Sequence, residues 1–320
     1  MNAEDEAFYA SLFSGEAPQE ADGPAVSFNI LNEAPGRRYR LEALIDRIAK
    51  QSPAGKALLE EAAKHCSLCL SDELPDDRLG AADREEGVIY LNMNKSDEAL
   101  ITTLLHEARH ACQFANGCAS FGKNVLTVKS QLMHDRAMEA DADAAAGVIA
   151  FEMAEKGDKV VFETFAKKRP ETAKAIVGHA AKDPASSSND LTEAAFKGWY
   201  DSEAMKSAYE KAYLCDALTE IMCRDDVPAP LNVALSGKDV AKLACLGGYL
   251  KDPSVLESGR YCDISPKTAA VVDKFADVAK LRGIKATDID RNDMPVREKP
   301  AKKAKAPSLS KVLAARAASR

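Results

Sequence analysis

The sequence predicts a mostly helical α+β protein with one small sheet and a helical C-terminal half. Three observations support this prediction. Aromatic residues make up only 6% of the 320 residues, and alanine is plentiful, which favours packed helices over a large sheet core. Apolar residues recur at helical spacing through most of the chain. One short segment, GVIYLN at residues 87–92, has the β-branched and aromatic composition of a strand.

Changes in composition divide the chain into four predicted parts. Residues 1–36 are rich in Glu, Ala, Pro and Gly and are predicted to form a flexible acidic arm. Residues 37–157 hold the predicted core, and residues 158–284 form a helical C-terminal region. Residues 285–320 are rich in Pro, Ala, Lys and Arg, with KPAKKAKAP at their centre. They are predicted to be a basic disordered tail, or at most a terminal amphipathic helix.

Charge and composition argue against several classes of protein. The net charge of −7 indicates that the body of the protein has no general affinity for nucleic acid or acidic membranes. The acidic start, MNAEDEAFYASLFSGE, does not resemble a secretory signal, and no stretch of 18 apolar residues could span a bilayer. We therefore expect a cytoplasmic protein. Its eight cysteines are too few for a disulfide scaffold and are expected to be free thiols.

The sequence HEARH at residues 106–110 has the HExxH pattern. On a helix, His106 and His110 lie one turn apart on the same face, so both imidazoles can reach one metal ion. Glu107 lies beside them and can take a proton from a metal-bound water. The residues before the motif give this helix one buried apolar side: Leu100, Ile101, Leu104 and Leu105.

A second helix, predicted over residues 126–156, supplies the acidic residues of the site. A catalytic zinc needs a third protein ligand and an open fourth position. Glu139 lies 29 residues after His110, which is enough for a loop and a returning helix. Asp143 is one turn beyond Glu139 and can hydrogen-bond a ligand imidazole, which fixes its tautomer.

HExxH on one helix and ExxxD on the next resemble the gluzincin branch of the zincin metallopeptidases, and are similar to small, largely uncharacterised bacterial metallopeptidase domains. The resemblance covers about residues 85–156. It implies a zincin-like core with a small sheet and two metal-bearing helices, and one Zn²⁺ ion. It also implies roles for five residues: His106, His110 and Glu139 as ligands, Glu107 as general base and Asp143 as the partner of a ligand histidine.

Further expectations concern the walls of the site. Zincins place a substrate-binding edge strand ahead of the first motif helix, which implies that role for residues 87–92. A metzincin would continue as HxxGxxH, and Gln113 and Asn116 exclude that branch. No motif identifies the residue that stabilises the oxyanion, which leaves four candidates: Tyr200, Tyr209, Tyr213 and His179.

Three other features are expected to be structural. Cys66 and Cys69 form an isolated CxxC pair, which we interpret as small half-buried side chains at a helix end rather than a zinc site. His134 lies more than one turn from Glu139 and is expected to be a surface or core histidine. Asp141 does not share the face of Glu139 and is expected on a solvated helix face.

The sequence therefore predicts a zinc-dependent peptidase, a hydrolase whose substrate is a peptide or protein and whose general base is Glu107. Two other classes stay open. One is a non-catalytic zincin-like regulatory or scaffold protein that binds a protein partner. The other is a nucleic-acid-associated protein that uses its basic tail, although a solubilising disordered tail is the more common meaning of such a run. The sequence does not predict the oligomeric state.

Overall fold

The computed structural model describes residues 26–118, 126–223, 230–286, 294–298 and 307–319. These residues form a mostly helical protein with one three-stranded sheet, so the predicted mostly helical α+β class is confirmed. None of the helices described is long and apolar enough to cross a membrane.

The sheet consists of β1 (Ser67–Ser71), β2 (Gly80–Asp83) and β3 (Val88–Asn92). Its strand order is β1-β3-β2, with β3 parallel to β1 and antiparallel to β2. The GVIYLN segment is therefore the central strand, and its predicted place at the sheet edge is wrong. The outer strands are β1 and β2, and β2 joins β3 through a turn that ends at Gly87 with φ of 64°.

The helices are, in chain order, α1 (Pro35–Gln51), α2 (Pro53–Ala62), α3 (Asp97–Ala115), α4 (Val128–Glu155), α5 (Lys159–Lys168), α6 (Pro170–Lys182), α7 (Ser188–Trp199), α8 (Glu203–Tyr209), α9 (Asp216–Cys223), α10 (Gly237–Ala244), α11 (Pro266–Arg282) and α12 (Leu309–Ala318). A π-helix (Glu210–Cys215) joins α8 to α9, and short 3₁₀ turns cover Pro253–Glu257 and Gly259–Tyr261. The two helices that carry the HExxH and ExxxD motifs are α3 and α4.

Local signals in the sequence set both ends of α3. The Ser96 side chain accepts a hydrogen bond from the backbone N–H of Ala99, and two acidic residues follow in the first turn. The helix ends at Asn116, before Gly117, whose φ is 84°. Both ends agree with the sequence signals, so the HExxH motif lies well inside a capped helix.

Most of the core is a single cluster of buried apolar side chains, and it draws residues from nearly the whole described chain. Helix α4 runs through it and is buried along most of its length. The parts predicted as residues 37–157 and 158–284 both contribute to this cluster. A smaller cluster joins the first turns of α4 to the π-helix, α9 and α11.

Part of each predicted flexible end belongs to the folded body. Val26, Phe28 and Ile30 are buried, so the predicted acidic arm is ordered here because apolar residues anchor it beside β1. Residues 1–25 lie outside the described residues, as do 287–293, 299–306 and 320 of the basic tail. Of the two alternatives for that tail, residues 309–318 adopt the helix, since Val312, Leu313 and Arg316 pack against the body.

The contact between α6 and α7 depends on a glycine. A Cβ at Gly198 would lie 2.3 Å from Ala175 Cβ and 3.2 Å from the carbonyl of Glu171. We expect Gly198→Ala to lower the free energy of unfolding by about 1–3 kcal/mol, because the two helices must move apart. Gly178, on α6, is the control because a Cβ there meets nothing within 4 Å. The measurement is the thermal unfolding temperature of the two variants. If Gly198→Ala were no less stable than Gly178→Ala, this packing would be contradicted.

Candidate metal centre

His106 and His110 on α3 face Glu139 on α4. The Nε2 atoms of the two histidines are 3.0 Å apart, with the ring planes at 89°. Glu139 Oε2 lies 3.4 Å from His106 Nε2 and 3.6 Å from His110 Nε2. Among the described residues, these three are the one group of His, Cys, Asp and Glu side chains spaced to hold a metal ion. The structure thus brings together the three residues expected to be ligands.

The spacing of these atoms suits an ion the size of zinc. Ligands about 2.0–2.1 Å from a tetrahedral metal are about 3.3–3.4 Å from each other, and the three observed separations are 3.0, 3.4 and 3.6 Å. Glu139 Oε2 is also buried without any hydrogen-bond partner. A buried carboxylate oxygen without a partner is energetically unfavourable. A cation between this oxygen and the imidazoles would give it an electrostatic partner.

The buried charges of this centre shift each other's pKa values. Burial disfavours the charged form of His106, but Asp143 and then Glu139 outweigh it and hold the pKa of His106 well above its usual value. The pKa of His110 is also raised, because Glu139 outweighs burial. Burial opposes the ionisation of Glu139, yet His110 and His106 hold its pKa well below the usual range. The centre therefore favours positive charge, which a divalent cation can supply.

Gln113 orients the imidazole ring of His110. Its amide nitrogen donates to Met138 O, Ala244 O and Asp141 Oδ2, each at 2.9 Å. Its Oε1 must therefore accept from His110 Nδ1, 2.7 Å away, which leaves the lone pair of His110 Nε2 directed at the centre. Sequence reasoning used Gln113 only to exclude metzincins. Its position three residues after His110 on the same helix could have indicated this contact.

Asp143 supports the other histidine. Its Oδ1 lies 3.0 Å from His106 Nδ1, within ion-pair distance, although the angle is outside hydrogen-bond geometry. Its Oδ2 accepts from Arg169 Nε at 2.5 Å and from Trp199 Nε1 at 3.0 Å. These two donors fix the carboxylate beside His106 Nδ1, at ion-pair distance. Neither Arg169 nor Trp199 carried a sequence signal for this contact.

Asp141 is fully buried, so its predicted place on a solvated helix face is wrong. Arg109 donates to both of its oxygens, at 2.6 and 2.9 Å, and Tyr249 donates to Oδ1 at 2.7 Å. Arg109 lies within the HExxH motif and is turned away from His106 and His110 by its pairing with Asp141. This ion pair ties α3 to α4 and helps to hold their facing side chains in register.

His134 and the Cys66–Cys69 pair lie outside the centre. His134 is expected on the surface or in the core, and the structure buries it. Its ring nitrogens face Asp135 Oδ1 at 3.1 Å and Cys118 O at 2.8 Å. Cys66 lies just before β1 and Cys69 lies within that strand, so their predicted place at a helix end is wrong. All eight cysteines are free thiols in the structure.

Two clefts meet at the centre. They have volumes of about 680 and 400 Å³, and both have His106 and Glu107 in their walls. Volumes of this order accommodate a stretch of peptide or a small ligand. The smaller cleft is also lined by β2, including Gly80. A Cβ on Gly80 would lie 2.6 Å from Thr103 Cγ2, so glycine lets the edge strand approach α3 closely.

Of the four candidates for stabilising an oxyanion, two line the cleft. Tyr209 and Tyr213 stack with centroids 5.7 Å apart and planes at 7°, and the Tyr213 hydroxyl donates to Glu139 Oε1 at 2.9 Å. Burial, and then Glu139, raise the pKa of Tyr213. Among the described residues that line the two clefts, neither Tyr200 nor His179 appears.

Tyr213 lies within the π-helix. The sequence predicts one unbroken helix over residues 202–224, and the structure interrupts it at Glu210–Cys215. The buried Glu210 side chain binds Arg136 and Arg297 there, two residues that are far away in the sequence. Such wide helical turns are frequent at functional sites.

Comparison with known proteins gives one match. The model of a family described as "Putative metallopeptidase family (DUF6782)" matches residues 19–234. This span includes the sheet, both motif helices, the clefts and the two tyrosines. No curated protein and no solved structure matches the chain.

Proposed function

Because the chain belongs to this family, whose description names a metallopeptidase, we propose that it is a zinc-dependent peptidase of the gluzincin type. One observation carries the proposal: the buried Glu139 Oε2 has no hydrogen-bond partner and faces the Nε2 atoms of His106 and His110. Two neutral imidazoles and one carboxylate suit Zn²⁺ and leave one net positive charge on the occupied centre.

The proposed reaction is hydrolysis of a peptide bond by an activated water. A zinc ion held by His106, His110 and Glu139 supplies Lewis acidity toward the carbonyl and the water. Glu107 lies beside the ligands in the walls of both clefts. We assign it as general base: it accepts a proton from the attacking water and passes it to the leaving nitrogen as the C–N bond breaks.

Two further features of the clefts fit this reaction. Tyr213, supported by its stacked neighbour Tyr209, presents a half-exposed phenol beside Glu139. We assign its hydroxyl, which donates to Glu139 Oε1 here, to turn and donate instead to the oxyanion that forms on the substrate carbonyl. Strand β2 is at the sheet edge along the smaller cleft, and an extended peptide can add to such an edge by backbone hydrogen bonds.

Removal and return of the metal test the proposal. We expect chelator-treated protein to cleave nothing in a mixed peptide library analysed by mass spectrometry, and one equivalent of zinc to restore cleavage. Magnesium is the matched control, because it prefers an octahedral shell of oxygen ligands and should not restore activity. Zinc-loaded, folded protein that cleaves no peptide in the library would contradict the proposed function.

A further inference from the structure

One wall of the larger cleft carries positive charge. Lys168 is the last residue of α5, Arg169 follows it, and both line the cleft that contains His106 and Glu107. Arg78, on the loop before β2, lines the same cleft. The assigned reaction uses none of these three cations.

Arg169 is held close to the proposed metal. Its Nε donates to Asp143 Oδ2 at 2.5 Å, and Asp143 Oδ1 lies 3.0 Å from His106 Nδ1. These two contacts place the guanidinium within about 10 Å of the His106 ring. That distance is spanned by roughly three residues of extended peptide. Asp143 uses Nε of the guanidinium, and the Lys168 carbonyl accepts from Nη1 at 3.5 Å. Within the described part of the chain, Nη2 is left to donate to a second acceptor.

Within the described part of the chain, Lys168 forms no ion pair with any carboxylate. Partial burial lowers its pKa, and the neighbouring charges of Arg169 and Lys95 lower it further. Like charges held together in this way repel one another, and a bound anion would relieve the repulsion.

The carboxylates of the same cleft do not balance this charge. Asp143 already accepts hydrogen bonds from Arg169 and Trp199 and faces His106. Glu107 and Asp77 also line the cleft, but neither is paired with Lys168. A substrate that supplies its own carboxylate is therefore complementary to this wall.

We propose that Lys168 and Arg169 bind a carboxylate of the substrate within about three residues of the scissile bond, so that the favoured substrates are peptides with a C-terminal carboxylate or an acidic side chain there. This inference rests on the proposed function. A C-terminus and an acidic side chain both present a carboxylate, and matched peptides distinguish the two.

The test measures binding, with Glu107→Gln as the parent so that peptides are not consumed. Full-length, zinc-supplemented protein is titrated with short peptides in two matched pairs, one free acid against C-terminal amide and one internal Glu against Gln. We expect at least one acidic member to bind about tenfold more tightly than its neutral partner. Lys168→Glu on the same parent should abolish that ratio. Lys167→Glu is the control, because Lys167 is an exposed neighbour that does not line the cleft, and it should keep the ratio.

The outcomes separate this inference from the proposed function. Equal binding within both pairs, no measurable binding of any peptide, or a ratio that survives Lys168→Glu would overturn the carboxylate subsite. If wild-type protein cleaves peptides without any acidic preference, the peptidase stands and the subsite fails. If the binding ratio holds and Lys168→Glu removes it while wild-type protein cleaves none of the peptides, the subsite stands and the peptidase fails.

Discussion

Glu107→Gln is expected to lower peptide hydrolysis by about 10²- to 10⁴-fold, the usual contribution of a positioned general base. Glutamine preserves the size and polarity of the side chain but cannot accept the proton of the attacking water. Glu107 is half-buried in the cleft walls and is not one of the three proposed ligands. Zinc content and thermal stability should therefore remain close to wild type, which assigns the loss to catalysis.

This variant also separates an enzyme from a scaffold. A non-catalytic zincin-like protein that binds a partner would keep its function in Glu107→Gln. The measurement is the initial rate on a peptide that the wild type cleaves, with zinc content determined on the same samples. A rate near that of the wild type would contradict the assigned mechanism, whatever the metal content.

The second large effect is expected when a ligand is removed. Glu139→Ala should weaken zinc binding by more than about 100-fold, beyond the 10- to 100-fold typical of residues that only orient a ligand. His106→Ala and His110→Ala should behave like Glu139→Ala. Zinc should also raise the unfolding temperature of the wild type but not of these variants, because only a site that binds the ion gains stability from it.

Asp143→Asn is the matched control for the ligand variants. It lies one turn after Glu139 and is equally buried, but its contacts are with His106 Nδ1, Arg169 and Trp199. We expect its zinc affinity to fall by about 10- to 100-fold, less than for Glu139→Ala. Full zinc occupancy in Glu139→Ala together with an empty Asp143→Asn would reverse the two assigned roles.

Local signals predict the two motif helices well. Ser96 and Gly117 bound α3 as expected, and Gly157 follows the end of α4. Once both helices are placed, 3.6-residue periodicity puts His106 and His110 on one face. It also puts Glu139 and Asp143 on one face of α4. Much of the candidate centre could therefore be named from sequence, because it is built from residues one turn apart.

The features that sequence reasoning missed depend on contacts between distant parts of the chain. Strand β2, GAAD, has little strand propensity of its own and forms by pairing with β3. The π-helix forms where Glu210 binds Arg136 and Arg297. Asp141 is buried because Arg109 and other donors reach it from other elements. None of these partners can be inferred from local periodicity.

The most direct test of the central claim is the metal content of the freshly purified, full-length protein, measured by mass spectrometry of the dissociated metal. The claim is that His106, His110 and Glu139 hold one zinc ion. We expect about one zinc per chain in the wild type, removed by chelator and regained on titration with zinc. Folded protein that contains no zinc and takes up none at micromolar concentration would contradict it.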